Sequence, residues 1–194
     1  MRTAAISRKT TETEISLQLN IDGQGRYAVD TDCGFINHML ELFTRHGRFD
    51  LKIDAAGDSW VDDHHLVEDL GIALGAAFRK ALGEKKGICR YGDMTLPMDE
   101  ALVMVVLDIS GRVSVNLDYQ VKDTVGRFDT ELVDEFLKGF SRHLGLTLHV
   151  RQLAGENTHH IIEAIFKGLG RALAKACAVD EKAPQEVPST KGVL

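Results

Sequence analysis

The chain has 194 residues, 44% hydrophobic and 27% charged, a balance that excludes a disordered or fibrous protein and allows a sizeable core in one domain or two small ones. Its formal net charge of −6, from 23 Lys and Arg against 29 Asp and Glu, argues against a general nucleic-acid surface but leaves room for a local basic patch that holds a phosphate. Three scattered cysteines (Cys33, Cys89 and Cys177), an N-terminus with no signal-peptide core and no apolar run longer than ALVMVVL predict a cytoplasmic protein with reduced thiols.

TAAISRKT and TEISLQLNI alternate as strands do, and DGQGR marks a turn before a third short strand, YAVD. GFINHMLELFTRHG changes to helical spacing through Phe35, Met39, Leu42 and Phe43; Gly47 ends it, and FDLKIDA alternates again. A helix is expected from about Asp63 to Leu82. The series is then written a second time. GDMTLPMD, ALVMVVLDIS and RVSVNLDY read as strands, TELVDEFLKGFSRHLG as a helix, LTLHVRQLAG as a strand, and a last helix opens at THHII. Laying FTRHGRFDLKIDAAGDSWVDDHH over FSRHLGLTLHVRQLAGENTHH shows the duplication in residues as well as in order. The expected fold is α+β, with βββαβα repeats at residues 1–88 and 89–182. One small sheet and two helices bury little alone, so the helices should pack between the two sheets, with Gly71, Gly75, Gly168 and Gly170 permitting close approach. Residues 183–194, with two prolines, a glycine and no periodicity, read as an extended tail in which Ser189, Thr190 and Lys191 offer donors to an anion.

Two histidine pairs, each followed at the same offset by a glutamate, carry the chemistry: His64, His65 and Glu68 in one half, His159, His160 and Glu163 in the other. Each set opens a helix. Neighbours on a helix point about 100° apart, whereas residues three or four apart share a face. His65 with Glu68, and His160 with Glu163, are therefore expected to grip one ion each, the remaining histidine of each pair serving the other copy. Imidazole and carboxylate without thiolate suit Mn, Fe, Zn, Co or Ni. Two equivalent sets make metal binding the better reading than an ordinary polar first turn. A two-metal hydrolase and a metal-storing oligomer are further classes these residues allow.

GFINHMLELFTRHGRFDL, DDHHLVEDLGIALG, ELVDEFLKGFSRHLGLTLHV, GENTHHIIEAIFKGLGRAL and the terminal PSTKG together resemble imidazoleglycerol-phosphate dehydratase of histidine biosynthesis, from about Arg8 to the C-terminus. The resemblance implies loss of water from D-erythro-imidazole glycerol phosphate to give imidazole acetol phosphate. It further implies two Mn2+ ions per active site, a 24-subunit assembly with sites shared between subunits, and a fold like domain 2 of ribosomal protein S5. Carried over residue by residue, the metal ligands would be His38, His64, His65, Glu68, Glu135, His159, His160 and Glu163. Position 135, histidine in many members of that family, is glutamate here, and the duplicated register puts it level with His38. Glu12 of RKTTET would be a substrate-contacting acid-base residue, with Glu68 and Glu163 as further proton carriers. Binding both azole nitrogens to metal would let the ring accept electron density through a diazafulvene intermediate as hydroxide leaves. Arg90, Arg112, Ser189, Thr190 and Lys191 would hold the phosphate, as suits fixed positive donors, with Arg45, His46 and Lys167 lining the site.

Overall fold

The computed structural model describes residues Met1–Leu194. Its elements run β1 (Thr3–Lys9), β2 (Thr13–Asn20), β3 (Tyr27–Asp30), α1 (Gly34–Gly47), β4 (Asp50–Gly57), α2 (His64–Leu82), β5 (Tyr91–Met98), β6 (Ala101–Asp108), β7 (Ser114–Asp118), β8 (Thr124–Val125), β9 (Phe128–Asp129), α3 (Glu131–Leu144), β10 (Thr147–Ala154) and α4 (Thr158–Cys177). The strand and helix series expected from periodicity is present in both halves. One piece was not expected. The β8–β9 hairpin turns at Gly126 with φ 64 and is too short to show a period of two.

The two larger sheets have the same construction, β1-β2-β4-β3 and β5-β6-β10-β7, with only the last strand of each parallel to its neighbour. Alternation sends Ile15, Leu17 and Leu19 of β2 inward, and likewise Val103, Val105 and Leu107 of β6, while Ser16 and Gln18 face out. Each sheet is covered on one face by the helices of its own half. The two helix layers then meet, α2 on α3 and α1 on α4, so the helices fill the space between the sheets. The rings of Phe43, Phe78, Phe136, Phe140 and Phe166 interlock there at centroid distances of 5.3 to 6.3 Å, joining the halves in one continuous core.

Equivalent glycines make this approach possible. A Cβ at Gly170 would stand 2.4 Å from the Phe43 carbonyl oxygen, and one at Gly75 would stand 2.4 Å from that of Phe140. Gly71 meets Phe136 in the same way, whereas Gly168 faces Val105 of the sheet rather than a helix. Gly170→Ala is expected to destabilise the chain by about 1–3 kcal/mol through overpacking, read as a lower urea midpoint at unchanged m. A midpoint at the wild-type value would show that α1 and α4 need not pack so closely.

Candidate active site

Both histidine pairs sit in first helical turns. The Asn157 side chain accepts from the backbone N–H of His159 and His160, at 3.0 and 3.3 Å, and Asp62 accepts from His64 N–H at 2.8 Å. Pinned in this way, the paired rings splay alike: 6.1 Å and 79° between His64 and His65, 6.4 Å and 83° between His159 and His160. Each pair therefore addresses two different places.

One of those places is a compact trio. His38 of α1 and His159 of α4 bring their Nε2 atoms to 2.9 and 3.1 Å from the same oxygen, Oε1 of Glu163, and Lys167 donates to Oε2 at 2.6 Å. Glu163 is only 7% exposed. Burial opposes its ionisation, but hydrogen bonds from Lys167, His38 and His159 outweigh that cost and hold its pKa down at about 2. The geometry suits a cation. Ligand atoms about 2.1 Å from one ion at right angles stand about 3.0 Å apart, close to the two spacings around Oε1. The potential ligand atoms of His38, His159 and Glu163 all lie within 4.8 Å of one another.

The second histidine of each pair is held differently. His65 sets Nδ1 against both oxygens of Asp58, at 3.1 and 3.0 Å, with Glu12 3.8 Å from Nε2. His160 sets Nδ1 2.7 Å from Glu100, with Asp99 3.8 Å from Nε2. These hydrogen bonds raise both imidazole pKa values. The chain thus departs from the expected i, i+3 grip. Glu163 pairs with His159 at i+4 and with His38 from another helix, because Glu100 draws His160 aside. The counterpart trio of Glu135, His64 and Glu68 does not converge; Glu135 instead binds Lys138 at 2.9 Å. His38 can donate to Glu163, whereas two carboxylates repel until a cation lies between them.

Arg45 and His46 close α1 beside Lys167. Burial, and then the charges of Lys167, Arg171 and Arg45, push the His46 pKa down, which marks a basic cluster next to the trio. Arg171 had no signal in the sequence beyond its helical position. His143 is a structural residue, its Nδ1 turned to the Gly139 carbonyl at 2.9 Å.

The remaining basic residues lie elsewhere. Arg90, in the left-handed region at φ 71, donates from Nε and Nη2 to Asp108 at 2.7 and 3.1 Å and from Nη1 to the Pro188 carbonyl at 2.8 Å. It fixes the tail that carries Ser189, Thr190 and Lys191, and exposed Arg112 follows β6 at the same end of the sheet. His160 meets Glu100 at the opposite end of β5. Eight residues of β5 measure about 26 Å and twenty of α4 about 30 Å, so one chain keeps its trio and its tail far apart.

Asp58, Asp99 and Glu100 were missed by reading the sequence. Glu100 had a signal, since it precedes β6 as Glu12 precedes β2. Asp58 had one as well, since AGD at 56–58 lies level with AGE at 154–156 once the β10 bulge is allowed for.

Residues 31–173 match the family model described as imidazoleglycerol-phosphate dehydratase. The chain belongs to that family. Imidazoleglycerol-phosphate dehydratases of Thermoanaerobacter sp. (strain X514) and Methylorubrum populi are 56% and 54% identical to it, each over 100% of both chains. A Pyrococcus furiosus imidazoleglycerol-phosphate dehydratase crystallised in complex with (S)-C348 is 42% identical, with a TM-score of 0.85 over 97% of this chain and 100% of that one. The Staphylococcus aureus enzyme is also 42% identical, with a TM-score of 0.83 over 91% of this chain and 99% of that one. Membership of the imidazoleglycerol-phosphate dehydratase family makes the chain a hydro-lyase. No helix is long and apolar enough to cross a membrane.

Proposed function

We propose that this chain dehydrates D-erythro-imidazole glycerol phosphate to imidazole acetol phosphate in cytoplasmic histidine biosynthesis, with two Mn2+ ions at each site. The observation that carries this reading is the trio of His38, His159 and Glu163, whose spacing suits a divalent ion in a chain of this family. His64, His65, Glu68, Glu135 and His160 complete the ligand set. Bound ions supply electron withdrawal from the azole, which makes the adjoining C–H acidic enough to lose its proton.

The chain's own groups divide the remaining work. Both oxygens of Glu163 are already engaged, by His38 and His159 on one side and Lys167 on the other. Glu12 is half-exposed, with no partner closer than His65 Nε2 at 3.8 Å, and is the carboxylate free to carry a proton between substrate and solvent. Glu68 is the second carrier. Arg112, Ser189, Thr190 and Lys191 hold the phosphate, Arg90 places the tail among them, and Arg45, His46 and Lys167 line the azole end.

A substrate of one azole, three carbons and a phosphate spans about 10 Å at ordinary bond lengths. The trio and the tail of one chain are more than twice that apart. A complete site therefore takes its metal ligands and its phosphate donors from different copies, which supports a closed assembly with shared sites; its size of 24 subunits is what the family resemblance implies. On this reading residues 1–88 and 89–182 are the two repeats, and 183–194 close a neighbour's site.

Manganese-loaded protein given the substrate is expected to form the ketone with phosphate retained, and to lose that activity on chelation. Release of inorganic phosphate without ketone would replace this reading with a hydrolase. Truncation after Pro184 keeps the Asp180 N–H bond to the Gly87 carbonyl but removes the Gly87 N–H bond to Glu186, and is expected to lower kcat/KM at least about tenfold, mostly through KM. Normal kinetics after truncation would remove the tail from the site.

A further inference from the structure

His65 and His160 are held by carboxylates from unrelated places in the two halves. Asp58 comes from the exit of β4, where the other repeat, one residue longer through the β10 bulge, has Glu156; Glu100 comes from the β5–β6 turn, where the first repeat has Glu12. The same Nδ1 contact thus arises twice from non-equivalent positions, so it is not a by-product of the duplication. A carboxylate only accepts, so the facing Nδ1 carries the hydrogen and each ring turns Nε2 the other way. On that side the nearest carboxylates, Glu12 and Asp99, stand off at 3.8 Å, beyond a hydrogen bond. Asp58 is 6% exposed and its carboxylate has His65 as its only strong partner, apart from which it would be a buried charge without compensation.

We propose that Asp58 and Glu100 are positioning residues that fix the Nδ1–H tautomer of His65 and His160 and so present both Nε2 lone pairs to divalent cations. The proposal rests on the metal-centre reading above and adds to it the groups that orient the ligands. Removing such an outer partner typically weakens metal binding about 10–100-fold, because the ring loses its orientation and some of its basicity.

The test is Mn2+ titration of the assembled protein by equilibrium dialysis, with the manganese EPR signal as a second readout. Asp58→Asn and Glu100→Gln are each expected to raise the Mn2+ Kd of one ion about 10–100-fold, since an amide can turn its NH2 to the ring and select the wrong tautomer. Glu100→Gln keeps an oxygen for the Asn157 N–H, so the entry to α4 survives. Asp58→Glu and Glu100→Asp, which retain the carboxylate, should stay within about threefold of wild type. Affinities unchanged in Asp58→Asn and Glu100→Gln would overturn the proposal, as would equal losses in the conservative pair. Wild-type protein that takes up no Mn2+ would overturn the metal-centre reading itself, a distinguishable result.

Discussion

Replacing Glu163 with glutamine is expected to remove one metal ion per chain and to lower kcat/KM at least about a thousandfold, equivalent to about 4 kcal/mol of transition-state stabilisation. Its Oε1 is the point on which the Nε2 atoms of His38 and His159 converge, and it is the only carboxylate of the compact trio. Glutamine keeps the shape but supplies a neutral ligand. Its amide NH2 can face only one imidazole lone pair, and a cation there would meet two neutral rings with the Lys167 ammonium close by. Lys167 retains an amide oxygen as acceptor, so the fold should survive, with the far-ultraviolet circular dichroism unchanged. Metal analysis separates the two possible readings of a slow variant. Full metal content with low activity would make Glu163 a proton carrier rather than a ligand, and full content with full activity would remove it from the site.

Much of this was legible in the sequence. Periods of two and 3.6 mark the main strands and helices, and the overlay of FTRHG on FSRHL marks the duplication. That His38 is among the ligands follows only from family resemblance, and its place beside His159 and Glu163 is not read from the sequence at all, since nothing in local spacing links α1 to α4; packing at Gly170 does. The choice between i+3 and i+4 for Glu163 was also beyond local reasoning. Both spacings share a helix face, and the decision is made by Glu100, sixty residues away in sequence. Arg90 shows the same limit. Its residue type and position suggest a phosphate ligand, and the structure adds a second task, since three of its five N–H groups go to Asp108 and the Pro188 carbonyl and set where the tail runs.

Mixing two inactive variants is expected to restore activity, which neither can show alone. Glu163→Gln damages the metal end and leaves the phosphate end whole. Arg112→Ala does the reverse; Arg112 is exposed and its side chain makes no hydrogen bond within the chain, so the change should not disturb the fold. If each site takes its metal ligands from one copy and its phosphate donors from another, sites that pair the intact halves form at random on reassembly. In an equal mixture dissociated and reassembled together, one site in four draws the sound part from both variants, so recovery should approach about a quarter of wild-type activity. Sites assembled from three copies would recover less but still far more than either variant by itself. The length of β5 and α4 makes the opposite outcome informative too. No recovery after demonstrated subunit exchange would mean that one chain supplies both ends of its own site, and the tail would then have to leave Arg90 and cross most of the molecule to reach the trio.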